Sequence, residues 1–218
     1  MSFSKEECLR TPEEAYFPDS RSLAFGLNDI SDQHNRIKHF YLEEYVPEKV
    51  ATQYEVARNI YLYAFNVYRF YMVAQHQALI ALEFSIKECI GRKKIKRYGE
   101  KIKKGNGLSG CLHYIFDKGL VENADFPVWQ NRSRIEAEQK YQMKKLEEMQ
   151  AKGLKSIELN FDDIEYEEHS LEFDYLEVLS KNMPKIRNNF AHGASTLHNQ
   201  VLTTFENVSV IINKIYKT

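Results

Sequence analysis

Residues 47–91 read PEKVATQYEVARNIYLYAFNVYRFYMVAQHQALIALEFSIKECIG, and between the opening proline and the closing glycine neither residue recurs. Proline suits the first turn of a helix and glycine the position just past its end, so the stretch reads as helical throughout. A single helix of that length would run ~65 Å at the usual rise per residue. A compact domain of this chain length is only ~45 Å across. The stretch therefore predicts either two helices or one that projects beyond the body. Its middle, residues 61–73, is apolar on nearly every face, as befits the centre of a bundle or an oligomer interface. The half that follows has a cleaner stripe of Leu79, Leu82, Ile86 and Ile90, with Glu83 and Lys87 one turn apart beside it.

Working outward, residues 1–46 read as an N-terminal arm. Pro12, Pro18 and Gly26 make its first part irregular, with room for one short helix, and residues 29–44 suit a helix that stops before Pro47. Downstream of Gly91 comes a basic run, then a short helix over about 108–117 closed by Gly119. Residues 127–170 look like an insertion. Within it, 130–152 is rich in Glu, Lys, Gln and Arg and predicts an exposed helix, while 158–174 carries eight acidic side chains; both suit a solvated surface. A helix from about Ser170 passes or restarts at Pro184 and ends at Gly193. The last helix is expected to start near Ser195, with Leu197, Val201, Leu202, Phe205, Val208, Ile211, Ile212 and Ile215 facing a core. Only a weak alternation at residues 157–161 hints at a strand. The fold class is all-α: residues 47–218 form one helical domain with a charged helical insertion.

Composition agrees with a globular domain. Hydrophobic residues make up 43% and charged ones 28% of the 218, enough for a real core. The 30 basic and 31 acidic side chains nearly cancel, so any polyanion site must come from their distribution. Cys8, Cys89 and Cys111 are odd in number and lack ligand spacing, which points to a reducing compartment rather than disulfides or zinc. The opening MSFSKEECLR has no apolar signal core, and no stretch approaches the ~20 apolar residues of a membrane span. The expected location is the cytoplasm.

The chemistry concentrates in Pro184-Lys-Ile-Arg-Asn-Asn-Phe-Ala-His-Gly193. On a helix Asn188 and His192 share a face, and Arg187 sits one step round with a stem long enough to reach the same spot. A guanidinium grips phosphate oxygens and keeps its charge. An imidazole moves protons near neutral pH, and an amide can orient either partner. The set suits cleavage of an RNA phosphodiester by its own 2′-hydroxyl, which needs proton transfer and a stabilised phosphorane but no metal. The plainer reading is that Arg187 and His192 cap the helix's carbonyl end and that Asn188 satisfies backbone groups.

The stretch Arg187-Asn-Asn-Phe-Ala-His192, near a helix end and ahead of a final amphipathic helix, resembles the HEPN superfamily, whose mark is an Arg followed after four to six residues by His. Asn188 matches the polar residue favoured after the arginine. Residues 81–87 look like the family's earlier core helix and 108–120 like its short middle helix. The resemblance covers roughly residues 50–126 and 170–218, and the insertion departs from the compact form. A second Arg and His pair, Arg69 and His76, is followed by Phe70 and lies in an apolar stretch. The resemblance implies a HEPN-like helical bundle that pairs as a two-fold homodimer, with both motifs facing one composite cleft. It implies a metal-independent endoribonuclease, of the sort found in toxin–antitoxin, phage-defence or RNA-processing systems, with an antitoxin or a nucleotidyltransferase as a further partner. By carry-over, His192 is the general acid or base, Arg187 the phosphate clamp and Asn188 the orienting group, with Glu83 and His198 as accessories. Glu83 equally suits a surface pair with Lys87. The alternative is a non-catalytic HEPN-like module for dimerisation or for binding a nucleotide or protein.

The run at residues 92–104 supplies Arg92, Lys93, Lys94, Lys96, Arg97, Lys101, Lys103 and Lys104 around Tyr98. Such a run suits RNA phosphates with a stacked base, or equally a solvated loop. His34 and His39 are not spaced as a helical metal pair, and His76 and His113 read as core residues. His198 falls one turn into the last helix, and His169 in the acidic stretch. With no glycine-rich phosphate loop and no metal-ligand spacing, neither cofactor nor metal is expected.

Overall fold

The computed structural model describes residues 7–154, 156–161, 164, 173–191 and 198–217. Among them the chain is helical, and no strand forms; residues 157–160 are irregular and Phe161 is in a 3-10 turn. The chain divides into two compact units, residues 1–121 with 179–218, and residues 122–178. Among the described residues no helix is long and apolar enough to cross a membrane.

The proline- and glycine-free stretch resolves into two helices, α3 (Glu48–Tyr63) and α4 (Phe70–Ile90); α1 (Ser20–Ala24) and α2 (Ile30–Ile37) precede them. Pro47 stands just ahead of α3, and Gly91 closes α4 with a φ of 96° that a side-chain-bearing residue rarely adopts. Nothing local breaks the helix over residues 64–69. The break is held instead by the N-terminal segment, which takes up the backbone groups it frees. The Asp19 carboxylate accepts from Tyr68 N–H at 3.2 Å, Asp19 N–H donates to the Phe65 carbonyl at 3.0 Å, and Asn66 Nδ2 donates to the Tyr16 carbonyl at 2.8 Å. Asp19 also caps α1 and is gripped by Arg21 Nε and Nη2 at 2.8 and 2.9 Å. The Tyr68 N–H and the Phe65 carbonyl, which the break frees, thereby each have a partner.

Helix α2 starts as expected, with the Asp29 carboxylate accepting from Ser31 N–H at 2.7 Å and Asp32 N–H at 3.1 Å. It stops at Ile37, short of the expected residue 44, because tertiary partners claim the backbone beyond. Glu43 N–H donates to Asn213 Oδ1 at 2.9 Å, Asn213 Nδ2 donates to the Tyr41 carbonyl at 3.1 Å, and the buried Tyr54 hydroxyl reaches the Phe40 and Phe205 carbonyls. Gln33, fully buried, donates to the Tyr61 carbonyl and accepts from the Tyr71 hydroxyl, tying α2 to the α3–α4 joint.

Helix α4 is the centre of the first unit. It packs on α3, on α5 (Arg92–Lys101), on α6 (Leu108–Asp117) and on α9 (Leu202–Tyr216), burying Ala74, Ala78, Leu79, Ala81, Leu82 and Ile86. Between α6 and α9 in chain order come α7 (Pro127–Ala151) and α8 (Tyr175–Ala191). The basic run, open between loop and phosphate-binding surface from its sequence, is a helix. A pair of glycines fixes it against α6: a Cβ on Gly99 would sit 1.7 Å from the Gly105 carbonyl oxygen, and one on Gly110 would sit 2.1 Å from it. Helix α9 starts at Leu202 rather than near Ser195; Ser195 lies outside the described residues, but residues 198–200 are not helical. Its buried face is the expected one, Phe205, Val208, Ile211, Ile212 and Ile215.

In the second unit Phe126 is buried against Tyr175, and Trp129 Nε1 donates to the Phe173 carbonyl at 3.2 Å. Beyond Trp129 no described residue of α7 is buried, and ion pairs such as Arg132–Glu136 and Arg134–Glu138 run one turn apart along it. This is the exposed charged helix its composition predicts. Of the acidic run, Glu158 and Asp174 are described, while Asp162, Asp163, Glu165, Glu167, Glu168 and Glu172 lie outside the described residues, as does His169.

Candidate functional site

Helix α8 runs through Pro184 without restarting and ends, among the described residues, at Ala191. Its buried residues Leu179 and Met183 are four apart, and one more turn along that face stands Arg187. The opposing face of α4 carries His76, Ile80, Glu83 and Lys87, spaced four, three and four, which aligns them along one side of the helix.

Arg187 Nη2 lies 3.6 Å from Glu83 Oε2, and Arg187 Nη1 donates to Asn188 Oδ1 at 3.2 Å. Glu83 Oε1 in turn accepts from Lys87 Nζ at 2.5 Å. Glu83 thus faces both cations, where its sequence position had offered either. The Arg187 contact is an ion pair too long to be a hydrogen bond. Glu83 Oε2 and Arg187 Nε are buried and have no hydrogen-bond partner among the described residues. His192, the expected proton-transfer group, lies outside the described residues, so Arg187 and Asn188 are the two motif residues whose geometry is on view.

His76 is not the core residue its surroundings suggested. It is half-buried, and its ring stacks on Phe190 of the motif at 4.8 Å between centroids and 30° between planes. Burial pushes its pKa below the ordinary histidine value, and the nearby Arg187 charge pushes in the same direction. Its register with Glu83 on α4 was the available signal, hidden because the same residues also read as an apolar stretch. His198, expected one turn into the last helix, stands ahead of α9 in irregular chain, its pKa lowered by burial.

Above Arg187 opens a cleft of about 450 Å³. Helix α4 contributes Ile80, Glu83, Phe84 and Lys87, α5 contributes Arg92, Lys93 and Lys96, and Asn106 and Arg187 complete the lining. Five cations thus surround one carboxylate. The helical turn of α5 selects which of the basic residues take part: 92, 93 and 96 share a face. Lys94, Arg97, Lys101, Lys103 and Lys104 are exposed and do not line the cleft. Lys87 and Asn106 were not singled out from the sequence as cleft groups. Tyr98, expected to stack among the lysines, is engaged internally: its hydroxyl donates to Asp117 and its ring meets Tyr114 edge-on at 5.2 Å. That bond to a carboxylate pushes the Tyr98 pKa up to about 12.

The α5 cations are only loosely held. Arg92 reaches Glu88 and Lys96 reaches Glu100 at 3.9 Å each, exposed pairs worth little in water, and Lys93 has no ion pair among the described residues. The arrangement can receive an anion bearing several charges. Comparison with protein-family models, with curated proteins and with solved structures finds no match to this chain.

Proposed function

We propose that this chain is a metal-independent endoribonuclease of the HEPN type, with an active site completed by a second copy. The observation that supports it is that Arg187, the cation of the Arg-Asn-x3-His motif, lines the same cleft as Lys87, Arg92, Lys93 and Lys96. A clamp on the scissile phosphate and a track for its neighbours would then be continuous. The Arg187 guanidinium keeps a donor in reserve for a phosphate, since its Nη2 contact with Glu83, at 3.6 Å, is too long to be a hydrogen bond.

In this reading the RNA 2′-hydroxyl attacks the adjacent phosphorus and gives its proton to one His192. The 5′-oxygen leaves with a proton from the His192 of the second copy, giving a 2′,3′-cyclic phosphate and a 5′-hydroxyl end. Arg187 neutralises the charge that builds on the non-bridging oxygens. Asn188, bonded to Arg187, sets the guanidinium's orientation.

The test is cleavage of a single-stranded RNA in EDTA by the purified full chain. Cleavage is expected to disappear in His192→Ala while the dimer persists; cleavage at the unaltered rate in that variant removes the assignment. A second reading, a HEPN-like module that binds without chemistry, draws on the Glu83 carboxylate, which already neutralises part of the charge of Lys87 and Arg187. It predicts dimers that bind RNA or a nucleotide and never cut.

A further inference from the structure

The cleft is not lined by charge alone. Ile80 and Phe84 are one helical turn apart on α4, both half-buried, and they share the lining with Lys87, the next turn's cation. A site built only for phosphate has no use for an aromatic ring and an aliphatic side chain. An acidic peptide would satisfy the cations and leave the apolar part of the wall uncovered. What matches both is a flat apolar group tethered to phosphates on either side, which is an unstacked nucleotide within a single strand. A volume of about 450 Å³ falls in the range that encloses one small ligand. A base held in a duplex stays stacked between its neighbours and would not reach such a wall.

We propose that the cleft takes one extruded nucleotide of a single-stranded nucleic acid, its base against Phe84 and Ile80 and its flanking phosphates on the Lys87, Arg92, Lys93 and Lys96 side. Asn106, whose amide both donates and accepts, faces the same space and contributes a hydrogen bond to the base edge. The inference rests on the reading of the cleft as a nucleic-acid site but not on cleavage, so it applies equally to a binding module.

The experiment measures binding of the full chain to a fluorescent single-stranded 2′-O-methyl oligonucleotide, which lacks the attacking hydroxyl and so reports binding without cleavage. A set of such strands carries a single abasic position, moved one nucleotide at a time, in a sequence anchored by a duplex end. One position is expected to stand out, with affinity lowered about tenfold, the scale of one stacked base. Phe84→Ala should lose that distinction and bind the intact and abasic strands alike, while Phe84→Trp should keep it, which separates stacking from a packing defect. The triple variant Arg92→Ala, Lys93→Ala, Lys96→Ala should instead flatten the salt dependence and keep the abasic position distinct. An equal effect at every position, or a distinction that survives Phe84→Ala in a folded variant, overturns the base subsite and leaves a phosphate track intact. Failure to bind any strand, with tight binding of polyglutamate, overturns both this subsite and the nucleic-acid reading.

Discussion

Glu83 Oε2 and Arg187 Nη2 face each other at 3.6 Å, one from the central helix and one from the motif helix, and the same carboxylate bonds Lys87 at 2.5 Å through its other oxygen. Two cleft cations thus share a single counter-charge. Under the proposed function, a phosphate arriving in the cleft would compete with Glu83 for both, so the carboxylate would weaken anion binding while it holds the Arg187 guanidinium in place.

Glu83→Gln separates the two effects. Removing a negative charge from the cleft should strengthen RNA binding at low salt by roughly fivefold, equivalent to about 1 kcal/mol, and the gain should fade as salt screens it. Under the proposed endoribonuclease reading the cutting rate at saturating RNA should fall, because Arg187 keeps its bond to Asn188 but loses the charge partner that steadies it. Binding isotherms at two salt concentrations, with single-turnover cleavage, check the pair; unchanged affinity at low salt would show that Glu83 does not compete with the ligand.

His76 gives the motif helix a pH-dependent contact. Its pKa lies below the ordinary value because burial, and then Arg187, disfavour the imidazolium. The unfolded chain therefore takes up this proton at a higher pH than the folded one. The stabilisation is complete above the ordinary histidine value of roughly 6.5 and is lost as pH falls through the lower folded value. His113 and His198 shift the same way. Urea unfolding at pH 7.5 and 5 should show a smaller acid loss in His76→Phe, which keeps the stack on Phe190, than in the parent chain. Equal losses would mean that the ring is not the titrating group.

Much of this architecture is legible in the sequence, and the parts that are not have a common cause. The stripe of α9, the exposed charges of α7 and the limits of α6 follow from local periodicity and from glycine. The break between α3 and α4 does not, since Asp19 and Tyr16 create it from some fifty positions away. The early end of α2 has the same origin in Asn213. At the site, Arg187 and Asn188 stood out because polar groups cluster there. The recruitment of Lys87, Phe84 and Asn106 depends on where α5 and its following loop fold back, which no single stretch encodes.

Asp19 is the strongest single point in that long-range arrangement. Its side chain is fully buried and serves Arg21 and the Tyr68 N–H at once. Burial alone would raise its pKa, but Arg21 and the backbone donors of Arg21 and Tyr68 outweigh that and hold it below the usual value. Asp19→Ala takes the acceptor from the Tyr68 N–H and from Arg21 Nε and Nη2, while Arg21 keeps its bond to Glu7, at a cost of about 2 kcal/mol. Denaturant unfolding at pH 7 measures it. In the parent chain the Asp19 contribution is present above the ordinary aspartate value and is lost as pH falls through its depressed one, so the gap between parent and variant should narrow below about pH 4. A constant gap would assign the loss to packing alone.

Gly99 and Gly110 hold α5 in register with the cleft by a contact only glycine permits. Both lie against the Gly105 carbonyl: an added Cβ would come within 1.7 and 2.1 Å of that oxygen. The obstacle is backbone, so the α5–α6 loop must move to admit it. Gly99→Ala should destabilise by about 3 kcal/mol, at the upper end of overpacking, and lower the melting temperature by roughly 6–12 °C for a chain of this size. Because Arg92, Lys93 and Lys96 ride on the same helix, the RNA affinity expected under the proposed function should fall with it even where the variant remains folded. Gly107→Ala is the matched control, since a Cβ there meets nothing within 4 Å and the backbone is extended. Equal melting temperatures for Gly99→Ala and Gly107→Ala would show that the loop yields freely, and the basic helix would then owe its position to Ile95 and its other buried contacts instead.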